Sequence, residues 1–220
     1  MTMTLLLDRR NKRLSDGAGR LFDPAARCWR QPEPGARPDA GPGDDQDTES
    51  MTALAAATWL QRQSGQAFRV PVGVVGPRTS TRTQEETAEV LGLGLAQMGL
   101  VVLCGGREGV MEAVCKGVAD GGGTSVGLLP DEAWSAANPY VSLPLATGLG
   151  VARNAVIARA AFCLVAVGGG HGTTSEIAFA LQFGRSVFGL AEAPALPGVI
   201  QLDSVEAALS AVAQCLFNCS

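Results

Sequence analysis

Three glycine-rich stretches in this sequence have the residue types to hold a negatively charged small molecule. They are Gly76-Pro77-Arg78, Gly105-Gly106-Arg107-Glu108-Gly109 and Gly168-Gly169-Gly170-His171-Gly172-Thr173. Glycine lets the backbone approach a ligand closely, and the amides at a helix start favour anions such as phosphate. Two ionisable residues stand near the last stretch. Glu176 lies three positions after Thr173, a spacing that also fits a helix capping box. Arg153 falls in the first turn of an expected helix, where a cation opposes the macrodipole, so a bound anion is the reason to expect it there. Arg78, Arg107, Thr147, Asn154 and His171 are expected at the rim of the same site. The chemistry these residues suit is recognition of a phosphorylated small molecule.

Other chemistries are disfavoured. No GxGxxG fingerprint follows the first strand, and Arg107, not an acid, follows the second. A nicotinamide enzyme using Arg107 for a 2′-phosphate would therefore lack its glycine signature. There is no GxxxxGK[ST] phosphate loop. Only two lysines occur, Lys12 and Lys116, and neither sits beside a Gly-rich loop with other reactive groups, which argues against Schiff-base catalysis. One histidine and six cysteines without a CxxC pair offer too few ligands for a structural zinc site, so no metal is expected. Cys104 and Cys163 lie in apolar runs and read as small buried hydrophobes in a reducing compartment, hence a cytoplasmic protein. Cys215 and Cys219 read as packing or surface thiols. A net charge of -4 argues against a nucleic-acid partner. No apolar run is long enough for a membrane span, and Leu5-Leu6-Leu7 is too short for a signal peptide.

The glycine stretches fall at the ends of short apolar runs that alternate with amphipathic ones. The patterning predicts a helix from Ser50 to about Gln63, a strand over 70–75 and a helix opening on the capping-box spacing Thr83 to Glu86 and stopped by Gly99. Strands over 100–104, 124–129, 141–145, 162–167 and 186–190 alternate with helices to about Ala119 and over 151–161, 173–183 and 205–216. Strands apolar on both faces imply a parallel sheet covered on both sides. The expected class is therefore α/β, a Rossmann-like doubly wound three-layer sandwich with a mostly parallel sheet, whose ligands lie beyond the carboxyl ends of the strands.

Charge divides the chain further. Residues 1–30 carry seven basic and three acidic side chains and read as a small arm, a hairpin around Asp16-Gly17. Residues 31–49 are rich in Pro, Gly and acid and read as a linker. The Rossmann-like ligand-binding domain is expected over 50–220.

The stretch Gly168 to Glu176, taken with Arg153, resembles the superfamily of Lonely-guy (LOG) phosphoribohydrolases, many of them once labelled lysine decarboxylases. That family's signature is PGGxGTxxE with an upstream Arg, and its catalytic Arg and Glu match Arg153 and Glu176. Its enzymes cleave the N-glycosidic bond of nucleoside 5′-monophosphates to a free base and ribose 5-phosphate. Gly168 replaces the signature Pro and Asn154 the Lys after the Arg, and both departures are similar to the molybdenum cofactor (Moco) carrier-like proteins, a sister group. That resemblance extends over Gly105 to Ala113, Lys116-Gly117 and Thr147-Gly148 to Asn154, within about residues 70–190. It implies a carrier-like protein binding Moco or an AMP-like nucleotide, with a phosphoribohydrolase as the alternative. It also implies a dimer or tetramer, with the helices over 151–161 and 173–183 as interfaces. The ligand-binding set on this reading is Gly76, Arg78, Gly105, Gly106, Arg107, Thr147, Gly148, Arg153, Asn154, Gly168 to Thr173 and Glu176.

Overall fold

A computed structural model describes residues 5–24, 26, 28–31 and 48–218. The chain divides into two compact units, one of residues 1–68 with 213–220 and one of residues 69–212. The linker expected over 31–49 lies, for residues 32–47, outside the described residues.

In the first unit, β1 (Leu5–Asp8), β2 (Arg13–Asp16), β3 (Leu21–Asp23), β4 (Cys28–Arg30) and β5 (Thr48–Met51) form one antiparallel sheet in the order β4-β3-β2-β1-β5. Leu5, Leu7, Leu14 and Phe22 are buried, as the two-residue side-chain period of a strand requires. The turn after β2 is held by Asp16, whose carboxylate accepts from the amides of Ala18 and Arg20 and from the Arg20 side chain. Phe22 meets Trp29 and Phe217 edge to face, with centroids 5.2 Å apart in each pair, and the Trp29 indole donates to the Phe217 carbonyl. The helix expected from Ser50 begins later. Residues 48–51 pair with β1, and α1 (Ala53–Arg62) is capped by Thr52, whose side chain accepts from the Ala55 amide.

The second unit alternates strands and helices: β6 (Val72–Val75), α2 (Arg82–Met98), β7 (Val102–Cys104), α3 (Val110–Asp120), β8 (Ser125–Leu129), β9 (Leu143–Ala146), α4 (Arg153–Ala160), β10 (Cys163–Val167), α5 (His171–Gln182), β11 (Ser186–Leu190), β12 (Val199–Gln201) and α6 (Val205–Phe217), which runs past the unit's end. The seven strands are all parallel, in the order β12-β11-β10-β6-β7-β8-β9. Helices flank this sheet, so the fold is the α/β, Rossmann-like one expected. β6, β7 and β10 are buried at every position, as a sheet covered on both faces demands. From β6 the chain winds outward through β7, β8 and β9, then returns to β10 on the other side of β6. The order reverses at β6 and β10, and a crevice opens at such a switch point.

Two details depart from the sequence expectations. The capping box of α2 is formed by Thr81 and Gln84, two residues before the expected Thr83 and Glu86, because Thr81 has the extended backbone that a cap needs. β12, three residues long with two of them exposed, carries too little apolar pattern to be seen in advance.

The helices α2 and α3 approach closely because glycines face each other's backbones. A Cβ on Gly117 would lie 1.9 Å from the Glu89 carbonyl oxygen, and one on Gly92 would lie 2.3 Å from that of Val114. Gly117→Ala must push the helices apart. We expect a loss of about 1–3 kcal/mol in unfolding free energy, measured by denaturant titration; an unchanged midpoint would show that the helices can separate without cost.

Candidate functional site

A cleft of about 530 Å³ lies at the carboxyl edge of the sheet. It is walled by the turns after β6, β7 and β10 and by the starts of α3, α4 and α5. Of the residues expected in the site, Gly76, Arg78, Gly105, Arg107, Arg153, Asn154, Gly169, Gly170, His171, Gly172, Thr173 and Glu176 line it.

Gly106, Thr147, Gly148 and Gly168 are not among its lining residues and shape turns instead. Thr147 donates its hydroxyl to the Leu129 carbonyl and accepts from the Leu149 amide, and the Gly148 amide bonds the Asp131 carbonyl. Gly106 packs on Gly127 and Leu129. Gly168, at φ 61°, leaves room for the Gln84 side chain, which a Cβ there would meet at 2.5 Å. That side chain also donates to the Ala191 carbonyl. Thr79 and Pro130 line the cleft and carry no motif that would have marked them, while Met111 and Val151, which also line it, lie within the motif stretches but were not among the expected site residues.

At the centre is one buried ion pair. Arg153 opens α4 after a 3-10 turn over Gly150–Ala152, and its Nη1 donates to Glu176 Oε1 at 2.9 Å. The two residues are 8% and 5% exposed. Gly105 gives the guanidinium its place: a Cβ there would lie 2.2 Å from Arg153 Nη2 and 2.6 Å from Met111 Sδ. The Arg153 Nε is buried and meets no acceptor among the described residues.

Glu176 is not a capping residue. α5 begins at His171 with Gly170 as its N-cap, so Thr173 lies in the helix and Glu176 reaches across to α4. No side chain caps this helix start. The amides of its first turn have no intrahelical acceptor and stand at the cleft wall. Asn154 holds that wall in place, donating to Ser175 Oγ at 2.9 Å and to the Gly172 carbonyl at 3.4 Å, while Ser175 donates to the same carbonyl at 2.7 Å.

The rim arginines also have carboxylate partners. Arg107 donates to Asp131 at 2.5 Å, and Arg78 meets Glu108 at 2.8 Å. Behind the second glycine turn the buried thiols of Cys104 and Cys115 lie 3.5 Å apart, and Cys104 Sγ accepts from the Gly106 amide. Cys163 is likewise buried, and Cys219 lies outside the described residues. No group of three or more potential metal ligands occurs among the described residues, and none of their helices is long and apolar enough to cross a membrane.

Burial pushes the Glu176 carboxyl from 4.5 up to about 7, outweighing the downward pull of Arg153. Between those values the folded chain holds a proton that the unfolded chain has released. This group's contribution to stability therefore falls as pH rises through that window. The stability of Glu176→Gln relative to wild type is expected to increase from pH 5 to pH 8, as read by denaturant titration at each pH. A difference that is flat with pH would show that Glu176 titrates normally.

Comparison with known proteins agrees with this architecture. An uncharacterised protein of Archaeoglobus fulgidus is 35% identical over 139 residues, which cover 63% of this chain and 91% of that one. The molybdenum cofactor binding protein from Rippkaea orientalis superposes with a TM-score of 0.63 at 29% identity, over 67% of this chain and 97% of that one. The molybdenum cofactor carrier protein from Chlamydomonas reinhardtii gives 0.61 at 36% identity, over 66% and 98%. The family model of SLOG cluster4 matches residues 69–214, which contain the whole cleft, and the chain belongs to the SLOG cluster4 family.

Proposed function

We propose that the cleft binds a phosphorylated small molecule, Moco, and holds it without turnover. The observation that carries this reading is the buried Arg153–Glu176 pair beside the uncapped start of α5. A guanidinium and first-turn amides are donors suited to a terminal phosphate. The cleft volume fits a cofactor-sized ligand. Structural relatives described as Moco proteins support the choice of ligand. In this reading Arg153 and the amides of His171, Gly172 and Thr173 take the phosphate. Asn154 keeps the amides in position, and Arg107 and Arg78 meet the ligand at the rim.

Glu176 favours a second reading. A carboxyl that titrates at about 7 beside a cleft is suited to proton transfer at neutral pH. A nucleoside 5′-monophosphate would be held by the same donors. Its C1′–N bond would break as water adds to C1′, the Glu176 carboxylate stabilising the oxocarbenium-like transition state and taking the water's proton, which then passes to the departing base nitrogen. The products are a free base and ribose 5-phosphate.

The homo-oligomer we infer would use the helix of residues 153–160, on which Val156 is 42% exposed, together with Val151, which is 85% exposed. The two readings separate in one pair of assays. The carrier should protect Moco during transfer to a Moco-free enzyme, and Arg153→Ala should weaken that protection several-fold. AMP should yield no ribose 5-phosphate above a buffer blank. Absence of protection by wild type overturns the Moco assignment, and ribose 5-phosphate release that disappears in Glu176→Ala establishes the hydrolase.

A further inference from the structure

The arginines at the cleft already face carboxylates: Arg153 faces Glu176, Arg107 faces Asp131 and Arg78 faces Glu108. The Arg78–Glu108 pair is 60% and 54% exposed and screened by water, while in the Arg107–Asp131 pair the arginine is 17% exposed but its carboxylate partner is 37% exposed. The Arg153–Glu176 pair is different. Its side chains are 9% and 7% exposed, and Glu176 is the one buried carboxylate among the described residues of the second unit.

An anion that reaches Arg153 arrives within range of the carboxylate that the same guanidinium neutralises. Two negative charges sharing one buried cation repel, and the ordinary relief is protonation of one of them. We propose that the cleft binds its anionic ligand together with one proton, taken from solvent onto the Glu176 carboxylate as Arg153 turns its hydrogen bond from Glu176 to the ligand. The inference rests on the reading of the cleft as an anion site. The balance is simple: one proton moves from the buffer to a Glu176 oxygen, no covalent bond of the ligand changes, and the resulting carboxylic acid becomes a donor to the ligand.

The surroundings of Glu176 support this exchange. The Arg153 Nε, buried and without an acceptor among the described residues, is a further donor for an incoming oxygen. The titratable and charged groups about the pair are Cys104, His171, and the two rim pairs. The Cys104 thiol is pushed well up by its hydrogen bond to Cys115 and by burial, so it stays neutral. No lysine lines the cleft to take the anion in place of Arg153. Burial already holds the Glu176 proton to about 7, so uptake near neutral pH demands little.

Sulfate tests the exchange, because it remains a dianion across the working range. The apparent Kd of the full chain for sulfate is measured by calorimetry from pH 6 to pH 9 at constant ionic strength. We expect a plateau below about pH 7 and weakening of about ten-fold per pH unit above it. Calorimetry in two buffers of different ionisation enthalpy should count about one proton taken up at pH 8. Glu176→Gln should bind with a Kd that does not change over the upper range, and His171→Asn should keep the wild-type slope. Arg153→Met should abolish binding, which locates the probe at this pair. The inference is overturned by wild-type binding without proton uptake, by a slope that persists in Glu176→Gln or vanishes in His171→Asn, or by binding that survives Arg153→Met. Failure of sulfate to bind wild type and Glu176→Gln at any pH removes the anion site itself, and with it the function proposed above.

Discussion

A guanidinium and a carboxylate buried together at the edge of a parallel sheet impose most of the constraints on this protein's second unit. Charges of this kind are costly to take out of water unless each is paired and the geometry is held. The fold supplies that geometry from three directions. Arg153 comes from the start of α4 and Glu176 from the second turn of α5, while Gly105, at the end of β7, leaves the volume that the guanidinium fills. The strand order reverses at β6 and β10, so these pieces converge although they are far apart in the chain. Each arginine of the cleft stands against an acidic side chain, Arg153 against Glu176, Arg107 against Asp131 and Arg78 against Glu108, so the cleft is not a row of unmatched cations.

The class of fold was legible because strands buried on both faces must be written as short apolar runs, and each of the main runs ends in glycine or proline turns. What escaped was short or depended on distant pairing. β5 could not be seen because Thr48–Met51 is polar and acquires its strand character from β1, some forty residues earlier. β12 escaped because three residues, two of them exposed, leave almost no periodicity.

The site was legible to a similar degree and for the same reason. Glycines at strand ends mark the carboxyl edge of the sheet, so most of the expected residues line the cleft. The pattern does not say which way a turn residue faces, and Gly106, Thr147, Gly148 and Gly168 serve the turns themselves. The macrodipole argument singled out Arg153 from sequence alone. Glu176 was ambiguous, since TxxE fits a cap as well as a buried acid. The start of α5 at His171, two residues before Thr173, decides it. The Arg107–Asp131 and Arg78–Glu108 pairs join residues 24 and 30 positions apart and leave no local signal.

Gln84 gives the architecture one further property. Its backbone amide and side chain close the capping box of α2, its side chain fills the space left by Gly168, and its amide nitrogen holds the carbonyl of Ala191, a non-glycine residue at φ 48°. One side chain thus serves as a common peg for a helix start, a glycine turn beside the cleft and a strained loop. Fraying of the first turn of α2, which is an event of low cost in any helix, withdraws that peg from the other two. Warming would then loosen the glycine turn beside the cleft and the Ala191 loop while the sheet was still intact.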